Sequence, residues 1–158
     1  MSEIKCISYK EVSKLYKILK EIKLPYYTSR KLNIRALKET TLANLIFNYR
    51  LLVFVESDIA DPNTVLFQLP SIDETSSIDV LMISKYDPSF IEKSVEYIKN
   101  EFKDFGWEKI IIEYMSQNGI DERRDREIKR LGFSKKITAR CINENYSRNL
   151  ASIIISEV

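Results

Sequence analysis

From Ile78 to Met115 the chain spells a strand, a capped helix and a second strand, and this run narrows the fold more than any other. Ile78 to Ile83 is apolar and strand-sized. Asp87 is a helix N-cap, because its carboxylate can accept from the backbone N–H groups that a helix start leaves unpaired. Pro88 suits the first helical position, where its fixed φ is correct and its missing N–H is not needed. Ile91, Val95, Ile98 and Phe102 then form a stripe at helical spacing, and Gly106 supplies the stop. Trp107 to Met115 (WEKIIIEYM) reads as a strand. Parallel pairing of the two strands would close a right-handed βαβ unit.

The flanking segments add elements on both sides. Glu3 to Tyr9 mixes apolar and polar residues like a short strand. Val12, Leu15, Leu19 and Ile22 mark an amphipathic helix that Pro25 closes. A second helical pattern covers Ile34 to Phe47. Leu51 to Glu56 (LLVFVE) is a buried strand, Asp61-Pro62-Asn63 its turn, and Val65 to Leu69 the return. With Ile78 to Ile83 these strands read as an antiparallel meander. Asp121 to Leu131 is a short, highly charged helix ending at Gly132, and Ser134 to Ile142 and Leu150 to Ser156 are the last strands. Without repeats, low-complexity segments or interior linkers, residues 1–158 read as one α+β domain.

Composition excludes several chemistries. The chain has no histidine, which rules out Ser-His-Asp and Cys-His mechanisms within it and removes the commonest transition-metal ligand. Cys6 and Cys141 lie far apart in strand-like stretches and read as small buried hydrophobes, with a disulfide or a thiol nucleophile as the alternatives; with no histidine beside them, no metal site is expected. A net charge of +2 is too near neutral for a nucleic-acid partner. No apolar run approaches the ~20 residues that span a bilayer. The start, MSEIKCISYK, lacks the apolar core of a secretion signal, so a cytoplasmic location is expected.

The element order β-α-α-β-β-β-α-β-α-β-β resembles the GNAT acetyltransferase fold over nearly the whole chain. Two phrases carry the local likeness: FGWEKIII (Phe105 to Ile112) and RLGFSKK (Arg130 to Lys136). They look like the family's glycine leading into the strand after its third helix, and its Lys-Leu-Gly-Phe after the fourth. The resemblance implies a single-domain GNAT-like fold, with a mixed central β-sheet flanked by helices. It also implies that the strands on either side of the Pro88 helix splay apart. An acetyl-CoA or other acyl-CoA would lie in that splay, its pyrophosphate on main-chain N–H groups at the helix start. A small-molecule or protein amine would enter from the opposite side. A base or water chain would deprotonate the amine, and an acid, often tyrosine, would protonate the leaving thiolate.

By position, the cofactor contacts would be the main chain of Leu81, Met82 and Ile83 and the loop residues Tyr86, Asp87, Ser89, Phe90 and Ile91. The family's loop reads Gln/Arg-x-x-Gly-x-Gly/Ala, since a diphosphate needs bare backbone to approach. Here Tyr86 takes the basic or amide position, and Asp87, Ser89 and Ile91 take the glycine positions. Pro88 removes one donor, and a capping Asp87 would place a carboxylate where the diphosphate binds. In the helix-four motif, aligned on Gly132-Phe133, the tyrosine position is Ile128, with Asp121, Arg124 and Glu127 at the other marked positions. Isoleucine cannot protonate a thiolate.

The remaining candidates for chemistry are Asp79 and Glu113, carboxylates beside the expected opening that would serve as bases if burial raised their pKa. Their alternative reading is a strand-edge or solvent-facing charge; Glu56, at a strand end, carries less weight still. On the helix from Asp121, Glu122–Arg126, Arg123–Glu127 and Asp125–Lys129 are spaced to pair with one another, whereas Arg123, Arg124 and Arg126 would otherwise hold a phosphate or acidic partner. Tyr26-Tyr27 would line an acceptor pocket or be ordinarily half-buried. Two functions follow: an atypical GNAT-type N-acyltransferase, or a catalytically degenerate GNAT-fold module that binds a protein or small molecule.

Overall fold

The structure is a computed structural model that describes residues 3–56, 60–71, 76–117, 120–140 and 146–155. Its strands are β1 (Ile4–Cys6), β2 (Tyr27–Thr28), β3 (Leu51–Glu56), β4 (Thr64–Gln68), β5 (Ser77–Ile83), β6 (Lys109–Gln117), β7 (Ser134–Arg140) and β8 (Tyr146–Ile154). The α-helices are α1 (Val12–Glu21), α2 (Glu39–Phe47), α3 (Pro88–Glu101) and α4 (Glu122–Arg130). The strands form one sheet in the order β1-β3-β4-β5-β6-β8-β7, with β2 added beside β5. β5 and β6 run parallel, as the helical crossover between them requires, and the other pairs are antiparallel.

Both faces of the sheet are apolar. On one, Leu52, Phe54, Ile78, Val80, Ile110 and Ile112 pack with Phe90, Ile91, Val95 and Ile98 of α3 and Ile128 of α4. On the other, Leu51, Val53, Val55, Leu66 and Met82 pack with Leu15 and Leu19 of α1 and Leu42 of α2. Each α1 residue that is fully buried lies on the stripe read from the sequence. A bulge in β5 changes its parity: Phe67 pairs with Val80 and Leu66 with Met82, leaving Leu81 as the extra residue. Val80 and Ile83 therefore face α3 together, three positions apart.

Several elements differ from their sequence-based bounds. The helix expected over Ile34 to Phe47 divides into a single 3-10 turn, Ile34–Ala36, and α2 from Glu39. The first strand stops at Cys6, and Tyr9–Glu11 is a 3-10 turn leading into α1. β6 begins at Lys109 because Trp107 stacks on Phe102 and Phe105, at ring-centroid distances of 5.3 and 5.0 Å. β8 begins at Tyr146, earlier than the apolar run, because β6 supplies partners along its whole length. The end of the strand expected at Ile142 and the position of Cys141 lie outside the described residues. β2 was not foreseen at all.

Candidate functional site

β5 and β6 share only three paired positions, Ser77–Lys109, Ile78–Ile110 and Asp79–Ile111. Beyond them the strands diverge, so the splay implied by the sequence resemblance exists. The chain itself fills it. Tyr27 and Thr28 lie opposite Ile83 and Met82, on the edge of β5 turned away from β4. The Ser29 N–H donates to the Leu81 carbonyl at 2.7 Å, and the Tyr26 N–H to the Ser84 carbonyl at 3.0 Å. The main chain of Leu81 to Ser84 is thus paired with a segment that follows Pro25.

The same segment reaches across to β6. The Tyr27 side chain is 4% exposed, and its hydroxyl donates to the Glu113 carbonyl at 2.7 Å and accepts from the Glu113 N–H at 3.3 Å. One phenol therefore satisfies β6 backbone just where β5 has left it. Burial pushes the Tyr27 hydroxyl up to about 12, with the bond accepted from the Glu113 N–H opposing that rise.

Tyr26 roofs the opening. Its ring lies 5.2 Å from that of Tyr86 and 4.5 Å beneath the Arg124 guanidinium, which also donates to the Tyr26 carbonyl at 3.3 Å. Its hydroxyl donates to Glu127 at 2.7 Å. Burial and then that bond push Tyr26 well above the usual tyrosine range, while the bond from Tyr26 holds Glu127 below the usual carboxylate range. On α4, Arg123 reaches Glu127 at 3.3 Å as its spacing predicts. Asp125 accepts from the Tyr114 hydroxyl, so α4 is tied to β6 as well as to the Tyr26 segment. Ile128, at the family's tyrosine position, is 1% exposed and belongs to the core.

The start of α3 is equally occupied. Asp87 is its N-cap: one carboxylate oxygen accepts from the Phe90 N–H at 3.2 Å, and the other from the Asn63 side-chain amide at 3.0 Å. The Ile91 N–H is taken by the Asp87 carbonyl at 3.1 Å. Phe90 and Ile91 are buried in the core, Ser89 is exposed and Tyr86 half-exposed. A carboxylate fixed on the helix start and a proline beside it do not fit a diphosphate, since charge and donor supply both oppose it.

The two candidate bases are ion-paired. Asp79 accepts from Lys31 at 2.9 Å, and Glu113 from Arg148 at 2.9 Å. Glu113, with the partners Lys31 and Arg148, borders a cleft of about 380 Å³ lined by Tyr26 to Lys31, Glu113 to Met115, Arg124 and Arg148. A larger cleft of about 670 Å³, between β1, α1 and the end of β3, holds none of these residues. Glu56 accepts from Asn63 and supports the β3–β4 turn. Cys6 is half-buried, and burial pushes its thiol up to about 11, so it is protonated at neutral pH. Among the described residues no three His, Cys, Asp or Glu side chains gather around a metal-sized site, and no helix is long and apolar enough to cross a membrane.

Sequence reasoning missed Tyr114 and the bridging role of Arg124 altogether. It singled out Tyr26-Tyr27 but not their position inside the sheet. The available signal was two adjacent aromatic residues after a proline, in a stretch otherwise polar.

No protein-family model and no curated protein matches the chain. Its backbone is nevertheless similar to solved acetyltransferases along its whole length. A probable acetyltransferase from Staphylococcus epidermidis superposes with a TM-score of 0.65 at 12% identity, covering 99% of this chain and 100% of that one. The ribosomal-protein-S18-alanine N-acetyltransferase from Escherichia coli gives 0.57 at 14% identity, covering 100% and 96%. A variant of spermidine N-acetyltransferase from Vibrio cholerae gives 0.57 at 13% identity, covering 98% and 95%. The chain has the GNAT fold.

Proposed function

We propose that this chain is an acetyltransferase-like protein that acts as a binding module for a small-molecule or protein partner, without acyl transfer from an ordinary acyl-CoA. The observation that carries this reading is the self-filled splay, with residues 26–29 hydrogen-bonded to Leu81 and Ser84. The Asp87 carboxylate on the start of α3 supports it independently. The hydroxyls of Tyr26, Tyr27 and Tyr114 are already donating, to Glu127, the Glu113 carbonyl and Asp125, which engages three of the acids nearest the opening. The partner's entry is the cleft beside β2, lined by the Glu113 carboxylate with Arg148 and by Lys31, whose ammonium pairs with Asp79. A ligand carrying both an amine and an acid group would exchange with those ion pairs. An amine is also the acceptor group named for the ribosomal-protein-alanine and spermidine N-acetyltransferases that share the fold.

A second reading, the atypical N-acyltransferase, is favoured by the divergence of β5 and β6 beyond Asp79 and Ile111, which leaves a path once residues 26–29 move away. Calorimetric titration with acetyl-CoA and with CoA separates the two, using Ser89→Trp as the site control. The binding-module reading expects no heat and no thermal shift from either compound. Micromolar binding that Ser89→Trp abolishes would overturn it in favour of the acyltransferase.

A further inference from the structure

Residues 26–29 are held by few attachments for a segment lying inside a sheet. Between Lys23 and Lys38 the one buried residue is Tyr27, and Leu24 just before it is 91% exposed. β2 itself is two residues long. The flanking chain is fastened by half-buried Leu32, Ile34 and Leu37 and, at the surface, by Lys20 donating to the Ile34 and Arg35 carbonyls and Lys31 pairing with Asp79. A two-residue strand with a single fully buried anchor belongs toward the low end of a protein's range of local stabilities.

Beyond the main-chain bonds to Leu81 and Ser84 and the Tyr27 hydroxyl on Glu113, the segment is fastened from α4. Arg124 covers the Tyr26 ring and holds its carbonyl, and Glu127 holds its hydroxyl. All three contacts lie on one residue, and none of them touches β5. Tyr26 can thus be released without disturbing the pairing of β5 with β4.

We propose that residues 26–29 are a releasable latch over the opening between β5 and β6, and that Arg124 and Glu127 of α4 are its catch. This rests on the reading that the opening is closed by the chain's own residues, and it adds that the closure is reversible and governed from α4. Release uncovers the Leu81 and Ser84 carbonyls on one side and the Glu113 main chain on the other. The latch thereby makes access to the opening depend on what engages α4.

Residue-resolved amide hydrogen exchange on the full chain tests this. The Tyr26 and Ser29 amides, bonded to Ser84 and Leu81, report the latch; the amides joining β3 to β4 report the core. In the unaltered protein the latch amides should exchange well ahead of the core amides. Arg124→Ala should speed the latch amides by roughly tenfold, from losing a cation–π contact and a hydrogen bond, and leave the core amides unchanged. Glu127→Gln, which keeps the side-chain shape, should act in the same direction to a smaller extent and serves if Arg124→Ala folds poorly. Latch and core amides exchanging together in every protein would make residues 26–29 a permanent strand and overturn the proposal, as would equal acceleration at both sets. Binding of CoA by the unaltered protein would instead overturn the proposed function, whatever the exchange rates show.

Discussion

Replacing Tyr27 by phenylalanine removes one oxygen and nothing else, and that oxygen carries two hydrogen bonds to Glu113, at 2.7 and 3.3 Å. Glu113 lies two residues past the last position at which β6 pairs with β5, so on that edge no strand partner replaces the phenol. A net hydrogen bond contributes about 1 kcal/mol, and a buried carbonyl stripped of its donor costs about 1–3 kcal/mol. The site is only part-buried, so the lower half of that range applies, and we expect a loss of about 1.5 kcal/mol. For a domain of this size that lowers Tm by about 3–6 °C. Tyr26→Phe is the comparison: its hydroxyl bonds to Glu127, whose side chain is 23% exposed, and water can take over. Its loss should stay under about 1 kcal/mol. Calorimetry with urea midpoints, read at unchanged m, measures both. Tyr27→Phe melting within about 1 °C of the parent would refute the idea that this hydroxyl bridges the two strands.

Tyr49 has φ 54°, at the left-handed position of a helix end where Arg50 N–H bonds to the Leu45 carbonyl and Tyr49 N–H to that of Ile46. Its side chain is 69% exposed, so Tyr49→Gly should raise stability by about 1 kcal/mol in urea titration, and a fall would mean the ring packs in solution. Ile128→Tyr restores the family's residue but forces a larger, polar side chain into a position 1% exposed. It should cost about 1–3 kcal/mol and give no thiol release from acetyl-CoA with amine acceptors; measurable release would show that one side chain separates this chain from an enzyme. Alkaline titration followed by tyrosinate absorbance should show a late group: Tyr27 near about 12, facing Glu113, Asp79 and Ser29, and Tyr26 and Tyr114 also above the usual range beside Glu127, Tyr86, Asp125, Asp121 and Arg124. Because folding raises these values, the stability they supply is complete below about pH 10 and is lost as pH climbs through the folded values, so their ionisation should coincide with unfolding.

The parts of the fold legible in the sequence were those set by local chemistry. Asp87-Pro88, the α1 stripe and Gly132 with its left-handed φ each act within a few residues and appear where the sequence places them, whereas Gly106 ends a 3-10 turn at Lys103–Phe105 because α3 already stops at Glu101. β2 was illegible for the opposite reason. Two residues carry no periodicity, and the strand exists only because Leu81 to Ser84 and Glu113 lie across from it. The α4 helix shows the same limit. Its charges read as a self-paired surface, and Arg123–Glu127 does form, but Arg124, Asp125 and Glu127 also hold Tyr26 and Tyr114, about which helical spacing says nothing.

The occupied start of α3 and the occupied edge of β5 bear on how long the protein survives. A protein that binds its ligand only when folded is stabilised by mass action, so its resistance to heat and proteolysis rises and falls with ligand supply. Here the carboxylate on the helix and the strand in the sheet are covalently part of the chain and present at every concentration. On the proposed reading, supply of a thioester metabolite then has no leverage on its folding equilibrium, and only the partner at the cleft beside β2 would shift it.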